Sequence, residues 1–161
     1  MSNANPFVGT WTYRSLLNDP VLAADPSTDP TAWANLFFGY GTIVIREGAV
    51  PEELAGTIGG DGWSLDLHGS MNSGNPGQAR FQGKGKVSGA EWIYDYIGWL
   101  VPVWPNSTNK QQQVALVGSI VRTIPHPDGS GGTAPAGVVA SWYAVKADRP
   151  EKPARKAKPA A

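Results

Sequence analysis

Cysteine is absent from this chain, which excludes a disulfide framework and thiolate chemistry. Histidine is nearly absent. His68 and His126 are the only two, and neither stands at ligand spacing with other donors, so no metal site is expected and both are expected at the surface. Charged residues make up only 16 % of the chain and the formal net charge is zero, so no field over the whole molecule favours nucleic acid or a membrane. No apolar run approaches the roughly 20 residues of a spanning helix, and no charged segment followed by an apolar one opens the chain. The expectation is a soluble, cytoplasmic protein without membrane insertion. No serine stands in a nucleophile-elbow pattern, and Gly39-x-Gly41 and Gly83-x-Gly85 do not lead into helices as nucleotide-binding loops do. No cofactor is implied.

Glycine and tryptophan are what the chain has in excess: 20 Gly and seven Trp among 161 residues. Glycine at that level, between alternating apolar and polar residues, suits the turns and bends of a β-barrel. Eight stretches have strand character, the first over residues 5–14. A long connection follows over residues 15–35, punctuated by Asp19-Pro20, Asp25-Pro26 and Asp29-Pro30 and offering one helical turn at residues 31–35. It is either a lid over a barrel mouth or a plain surface loop. The second strand covers residues 36–47. Residues 54–59 and 62–70 form a hairpin around Gly60-Asp61 that pairs Ile58 with Trp63, Gly56 with Leu65 and Leu54 with Leu67. Residues 78–87 and 90–101 flank Ser88-Gly89, which pairs Lys86 with Glu91, Gly85 with Trp92, Gly83 with Tyr94 and Phe81 with Tyr96. The seventh and eighth strands fall at residues 113–124 and 136–146, separated by a glycine-rich turn.

The fold class expected is therefore all-β, an eight-stranded antiparallel up-and-down barrel with a long first loop, occupying residues 1–146. Residues 147–161 read as a disordered, basic Ala/Lys/Pro-rich tail. They hold five Lys or Arg against two acidic residues and no apolar side chain larger than Ala.

With Gly9-Thr10-Trp11 on the first strand, a long first connection and seven further strands joined mostly by hairpins, the chain resembles the calycins, the superfamily of lipocalins, fatty-acid-binding proteins and avidins. The resemblance implies a small ligand held inside the barrel. In its lipocalin form it also implies an arginine, here Arg122, packed over Trp11 to close the floor. The lipocalin Thr-Asp-x-Arg run has only a partial counterpart in Ser119-Ile120-Val121-Arg122. The short polar first loop with which avidins hold biotin is missing.

The inward face inferred from the hairpin registers carries the candidate ligand site: Tyr94 and Tyr96 to orient a ligand, with Trp92, Trp63 and Phe81 as its apolar wall. Gly83 and Gly85 are expected to leave free volume beside the phenols. Arg122 is either an anion anchor for the ligand or the floor-closing residue. The function expected is binding of a small, largely apolar or aromatic molecule. The alternatives are a cyclase or isomerase in the same cavity, with a tyrosine as general acid, and an oligomeric interaction module. Self-association is expected through Ile93, Ile97, Trp99 and Trp104. Nucleic acid is disfavoured despite Lys84-Gly85-Lys86 and the basic tail, because inward aromatics leave few rings for bases to stack on.

Overall fold

Chain reversals set the strand registers. In the computed structural model, which describes residues 5–19 and 28–147, Ser88 and Gly89 both take positive φ, 49° and 83°. Positive φ at both central residues marks the type I′ hairpin turn, whose twist matches that of the flanking strands. The turn joins β5 (Gln78–Val87) to β6 (Ala90–Val101) in the register the sequence predicts, with Gly85 opposite Trp92, Gly83 opposite Tyr94 and Phe81 opposite Tyr96. Lys86 faces Glu91, but the ion pair forms on the diagonal, Lys84 Nζ to Glu91 at 3.0 Å. Both side chains are about half exposed, so the pair contributes at most about 1 kcal/mol.

The hairpin of β3 (Glu53–Gly60) and β4 (Trp63–Asn72) turns instead on Asp61-Gly62, with Gly62 at φ 76°. Asp-Gly is the stronger turn former. Gly60 therefore stays in the strand opposite Trp63, and Ile58 meets Leu65, Gly56 meets Leu67 and Leu54 meets Gly69. This register differs by two residues from the one expected at Gly60-Asp61. A two-residue slip preserves which face each side chain occupies, so Leu54, Ile58, Leu65 and Leu67 all still bury.

These four strands join β1 (Gly9–Leu17), β2 (Phe37–Glu47), β7 (Ala115–Arg122) and β10 (Val139–Lys146) in a closed antiparallel barrel. Its order is β1-β10-β7-β6-β5-β4-β3-β2, and it closes where Trp11 pairs with Lys146 and Leu17 with Ala140. The fold is all-β, and the architecture is consistent with a calycin-like barrel. Strand β1 runs three residues beyond the expected end at Arg14, because Ser15 and Leu17 continue the pairing with β10. Strand β7 ends at Arg122 rather than 124, and the expected glycine-rich turn contains a separate two-stranded ladder, β8 (His126–Pro127) with β9 (Thr133–Ala134). The helical turn is α1 (Pro30–Leu36), with Pro30 in its first turn. Asp29 caps it, accepting from the Thr31 and Ala32 N–H groups at 2.8 and 3.4 Å. The Asp25-Pro26 part of the proposed lid and the tail beyond Ala147 lie outside the described residues.

Inside, the barrel fills in layers. At the end where β1 begins, Phe7 and Trp11 are fully buried and the Trp11 indole N–H donates to the Phe7 carbonyl at 3.0 Å. The cation over Trp11 is Lys146, its Nζ 5.2 Å from the ring centre, and not Arg122. Arg122 pairs with Tyr94 on β6, far along the wall from the strand ends that carry Trp11. The floor-closing arginine expected from the lipocalin comparison is thus replaced by a lysine. Above this floor lie Tyr13, Phe81, Tyr96 and Trp142, their rings 4.9–6.4 Å apart.

On the outer wall, Ile93, Ile97 and Trp99 are half-buried, while Trp104 in the β6–β7 loop is 68 % exposed. Trp99 stands opposite Val117, and Val117 opposite Tyr143, which makes an apolar row across β6, β7 and β10. Among the described residues no helix is long and apolar enough to cross a membrane.

Trp142 ties the middle layer to the wall. Its indole N–H lies between the carbonyls of Ile97 (3.2 Å) and Ser119 (3.0 Å), and its ring covers Gly98 so closely that a Cβ there would sit 2.5 Å from ring carbon Cζ2. Gly98→Ala must displace a fully enclosed indole. It is expected to cost about 1–3 kcal/mol in urea unfolding, the usual penalty for overpacking. An unchanged midpoint would show that Trp142 moves freely.

Candidate functional site

Opposite the Trp11 floor, the barrel interior is not filled. A cavity of about 280 Å³ lies between Tyr13, Ser15 and Tyr96 at its base and Phe38, Trp63, Trp92 and Tyr94 on its sides, with Leu65 and Ile120 completing the wall. Tyr40 and Asp61 stand at its rim, and Asp61 is exposed. The volume is near the lower end of the range for small-molecule sites, about 300–1,000 Å³.

Four of the six residues assigned to the site from sequence, Tyr94, Tyr96, Trp92 and Trp63, line this one cavity. Phe81 does not. It stacks beneath Tyr96, with centroids 4.9 Å apart and planes at 28°, and so supports the base from within the core. Arg122 also stays out of the lining. Its guanidinium lies over the Phe38 ring at 4.9 Å, and its Nη1 donates to the Pro135 carbonyl at 3.0 Å. The free volume is not beside Gly83 and Gly85 either. A Cβ on Gly83 would meet Leu67 and Tyr96 at 3.2 Å, so neighbouring side chains already occupy the space the glycine leaves.

The structure adds one residue to the site. His126 is buried, not at the surface, and its ring stacks on Trp92 at 4.0 Å with planes 16° apart. Its Nε2 lies 2.6 Å from the Tyr94 hydroxyl and its Nδ1 2.8 Å from the Pro127 carbonyl. Arg122 Nε donates to the same Tyr94 oxygen at 3.4 Å. The local sequence explains the placement. Pro125 and Pro127 restrict the backbone on both sides of His126, and the ladder with Ala134 holds the segment against the mouth. Asp128 then locks the turn by accepting from Ser130 N–H, Ser130 Oγ and Gly132 N–H at 2.8–2.9 Å. Those bonds, the backbone N–H of Ser130 foremost, hold the Asp128 carboxyl below the ordinary carboxylate range. His68, in contrast, is exposed on the outer wall.

The site is electrically quiet. Burial raises the pKa of Tyr96 well above the ordinary phenol value, and raises that of Tyr13 as well, where the neighbouring Ser15 and Tyr96 hydroxyls partly offset it. Burial also raises the pKa of Tyr94, against the opposing pull of the Arg122 hydrogen bond and charge. All three phenols therefore remain neutral hydrogen-bonding groups near pH 7. Ser15, fully buried, donates to the Gly39 carbonyl at 3.2 Å. Among the described residues no group of three or more His, Cys, Asp or Glu could hold a metal ion.

A larger hollow of about 890 Å³ lies at the other end, outside the barrel, between Asn5–Phe7, the β2–β3 turn and Asn72–Gly77. Its Glu53 carboxylate is already engaged locally. Glu53 Oε2 accepts from the Ala49 and Val50 N–H groups at 2.6 and 3.2 Å. The interior cavity, with converging aromatic and hydroxyl groups, is the better candidate.

The Tyr94–His126 bond is buried and short, so it should register as an energetic coupling. Tyr94→Phe leaves His126 Nε2 without its partner and is expected to cost about 1–3 kcal/mol. In a double-mutant cycle with His126→Phe, which keeps the stack on Trp92, the coupling should reach about 0.5–1.5 kcal/mol. Strictly additive losses in chemical denaturation would mean that the two groups do not interact.

Comparison of the chain with protein-family models, curated proteins and solved structures finds no match, so the functional assignment rests on the geometry of the barrel mouth.

Proposed function

We propose that the protein binds one small, neutral, planar aromatic molecule in the mouth of the barrel. The observation that carries this is the cavity of about 280 Å³ with aromatic side chains at its sides and the hydroxyl-bearing residues Tyr13, Ser15 and Tyr96 at its base. Flat rings on the sides favour a flat ligand, and hydroxyls at the base favour polar substituents on it. Among the described residues the one carboxylate in the lining is the exposed Asp61 and no Lys or Arg lines it, so an ionised ligand would lose hydration without a counter-charge. A carboxylate on the ligand is disfavoured for the further reason that Arg122 is already bonded to Tyr94 and Pro135. Binding is preferred to a cyclase or isomerase because, among the described residues, the cavity base offers hydroxyl groups alone, with neither a carboxylate nor an imidazole to act as a general base.

Trp63 and Trp92 make the cavity report on its own occupancy. A bound ring should quench tryptophan emission in a saturable way. Gly39 lines the same space, and a Cβ there would meet only ordinary contacts, Ser15 Oγ at 3.4 Å and Tyr13 at 3.9 Å. Gly39→Leu is therefore expected to fold normally and to abolish the quenching. Titration with neutral bicyclic aromatics checks this; no saturable quenching of the wild type by any of them sinks the proposal.

The outer wall supports a second, separate reading, self-association. The Trp99–Val117–Tyr143 row, with Ile97 beside it, is a continuous apolar strip across three strands. Ile93→Lys with Ile97→Lys should shift sedimentation toward monomer while the circular dichroism of the barrel is kept. A wild type that is monomeric at high concentration ends that reading.

A further inference from the structure

The hydrogen bonds around Tyr94 have a direction, and that direction constrains the ligand. The Pro127 carbonyl oxygen can only accept, so His126 Nδ1, 2.8 Å away, carries the proton. In the neutral imidazole Nε2 is then a lone pair. The Tyr94 hydroxyl, 2.6 Å from Nε2, must give it its single proton. Arg122 Nε–H donates to the Tyr94 oxygen from another side at 3.4 Å. Every step is directed from cation to hydroxyl to imidazole to carbonyl. A phenol has one proton and two lone pairs, so for Tyr94, whose side chain lines the cavity, the proton is spent and one lone pair takes no bond from the described residues.

We infer that Tyr94 selects aromatic ligands carrying a ring-bound hydrogen-bond donor, an aromatic N–H or O–H, over isosteres that carry only an acceptor. This rests on the proposed binding of a neutral aromatic molecule in the barrel mouth. A donor on the ligand satisfies the remaining Tyr94 lone pair. A ring oxygen in the same place sets lone pair against lone pair and gains nothing from Tyr94. Phe38 and Trp92 fix the plane in which the ligand meets the phenol, since both pack edge-on to the Tyr94 ring, with planes 86° and 69° apart. His126 is thus a positioning residue. It need not touch the ligand, and it decides the polarity of the group that does.

Indole and benzofuran test this directly, because they share shape and size and differ in one ring atom, an N–H donor against an oxygen acceptor. Binding of each is measured by NMR titration. Wild-type protein should bind indole about tenfold more tightly, the upper end of what one hydrogen bond contributes. Tyr94→Phe should bring the two affinities to within about twofold by weakening indole. His126→Phe frees the Tyr94 proton for donation, so it should narrow the gap by strengthening benzofuran while the aromatic stack on Trp92 is kept. Equal affinities in the wild type, or an unchanged preference in Tyr94→Phe, would overturn the donor rule and leave the binding proposal standing. Failure of both compounds to bind would overturn the two together.

Discussion

Closure of the sheet is the constraint from which the rest follows. A curved sheet of eight strands with two free edges would expose rows of unpaired N–H and C=O groups, and pairing β1 with β10 removes both edges. Once the wall is closed, side chains alternate strictly between an enclosed volume and the surface. The interior must then be filled or left as a cavity. Here it is filled from one end only. Phe7, Trp11 and Lys146 seal the floor, and the middle layer of Tyr13, Phe81, Tyr96 and Trp142 packs tightly because glycines let rings lie against the backbone. Among the described residues, space remains toward the mouth.

The mouth is shaped by a segment outside the barrel. The β8–β9 ladder brings His126 onto the ring of Trp92, which itself lines the cavity. The bond to Tyr94 satisfies a phenol that is otherwise costly to bury. Arg122 completes the arrangement from outside, holding Phe38, Tyr94 and the Pro135 carbonyl in place without presenting its charge to the interior. Structure and recognition are not separable here. Trp92 and Tyr94, which hold the β8–β9 ladder through His126, also line the cavity.

Much of this was legible in the sequence, for identifiable reasons. Alternation shows which face a side chain occupies, and faces survive an even slip in register, which is why Leu54, Ile58, Leu65 and Leu67 are legible as core residues although their partners differ by two positions. The β5–β6 register was legible because Ser88-Gly89 admits positive φ at both turn positions and one pairing alone keeps the lysines out. Depth along the barrel axis is not encoded by alternation. Phe81 and Tyr96 share a face, yet only Tyr96 reaches the cavity. The residue over Trp11 depends on the register of chain closure, a pairing between β1 and the final strand that no local pattern specifies. His126 lay furthest from view. It meets Tyr94 across 32 positions, from a proline-flanked stretch whose composition signals only the end of a strand.

The sealed floor has a consequence for how the chain can be cut and joined. Lys146 Nζ donates to the Pro6 carbonyl at 3.4 Å and the Ala147 N–H to the Thr10 carbonyl at 2.9 Å, so the two ends of the barrel domain meet beneath Trp11. A short linker there, with new ends opened at a hairpin tip, describes a circular permutant whose wall keeps every strand neighbour. A fusion partner attached beside Ala147 likewise starts from the floor, at the opposite pole from Tyr40 and Asp61.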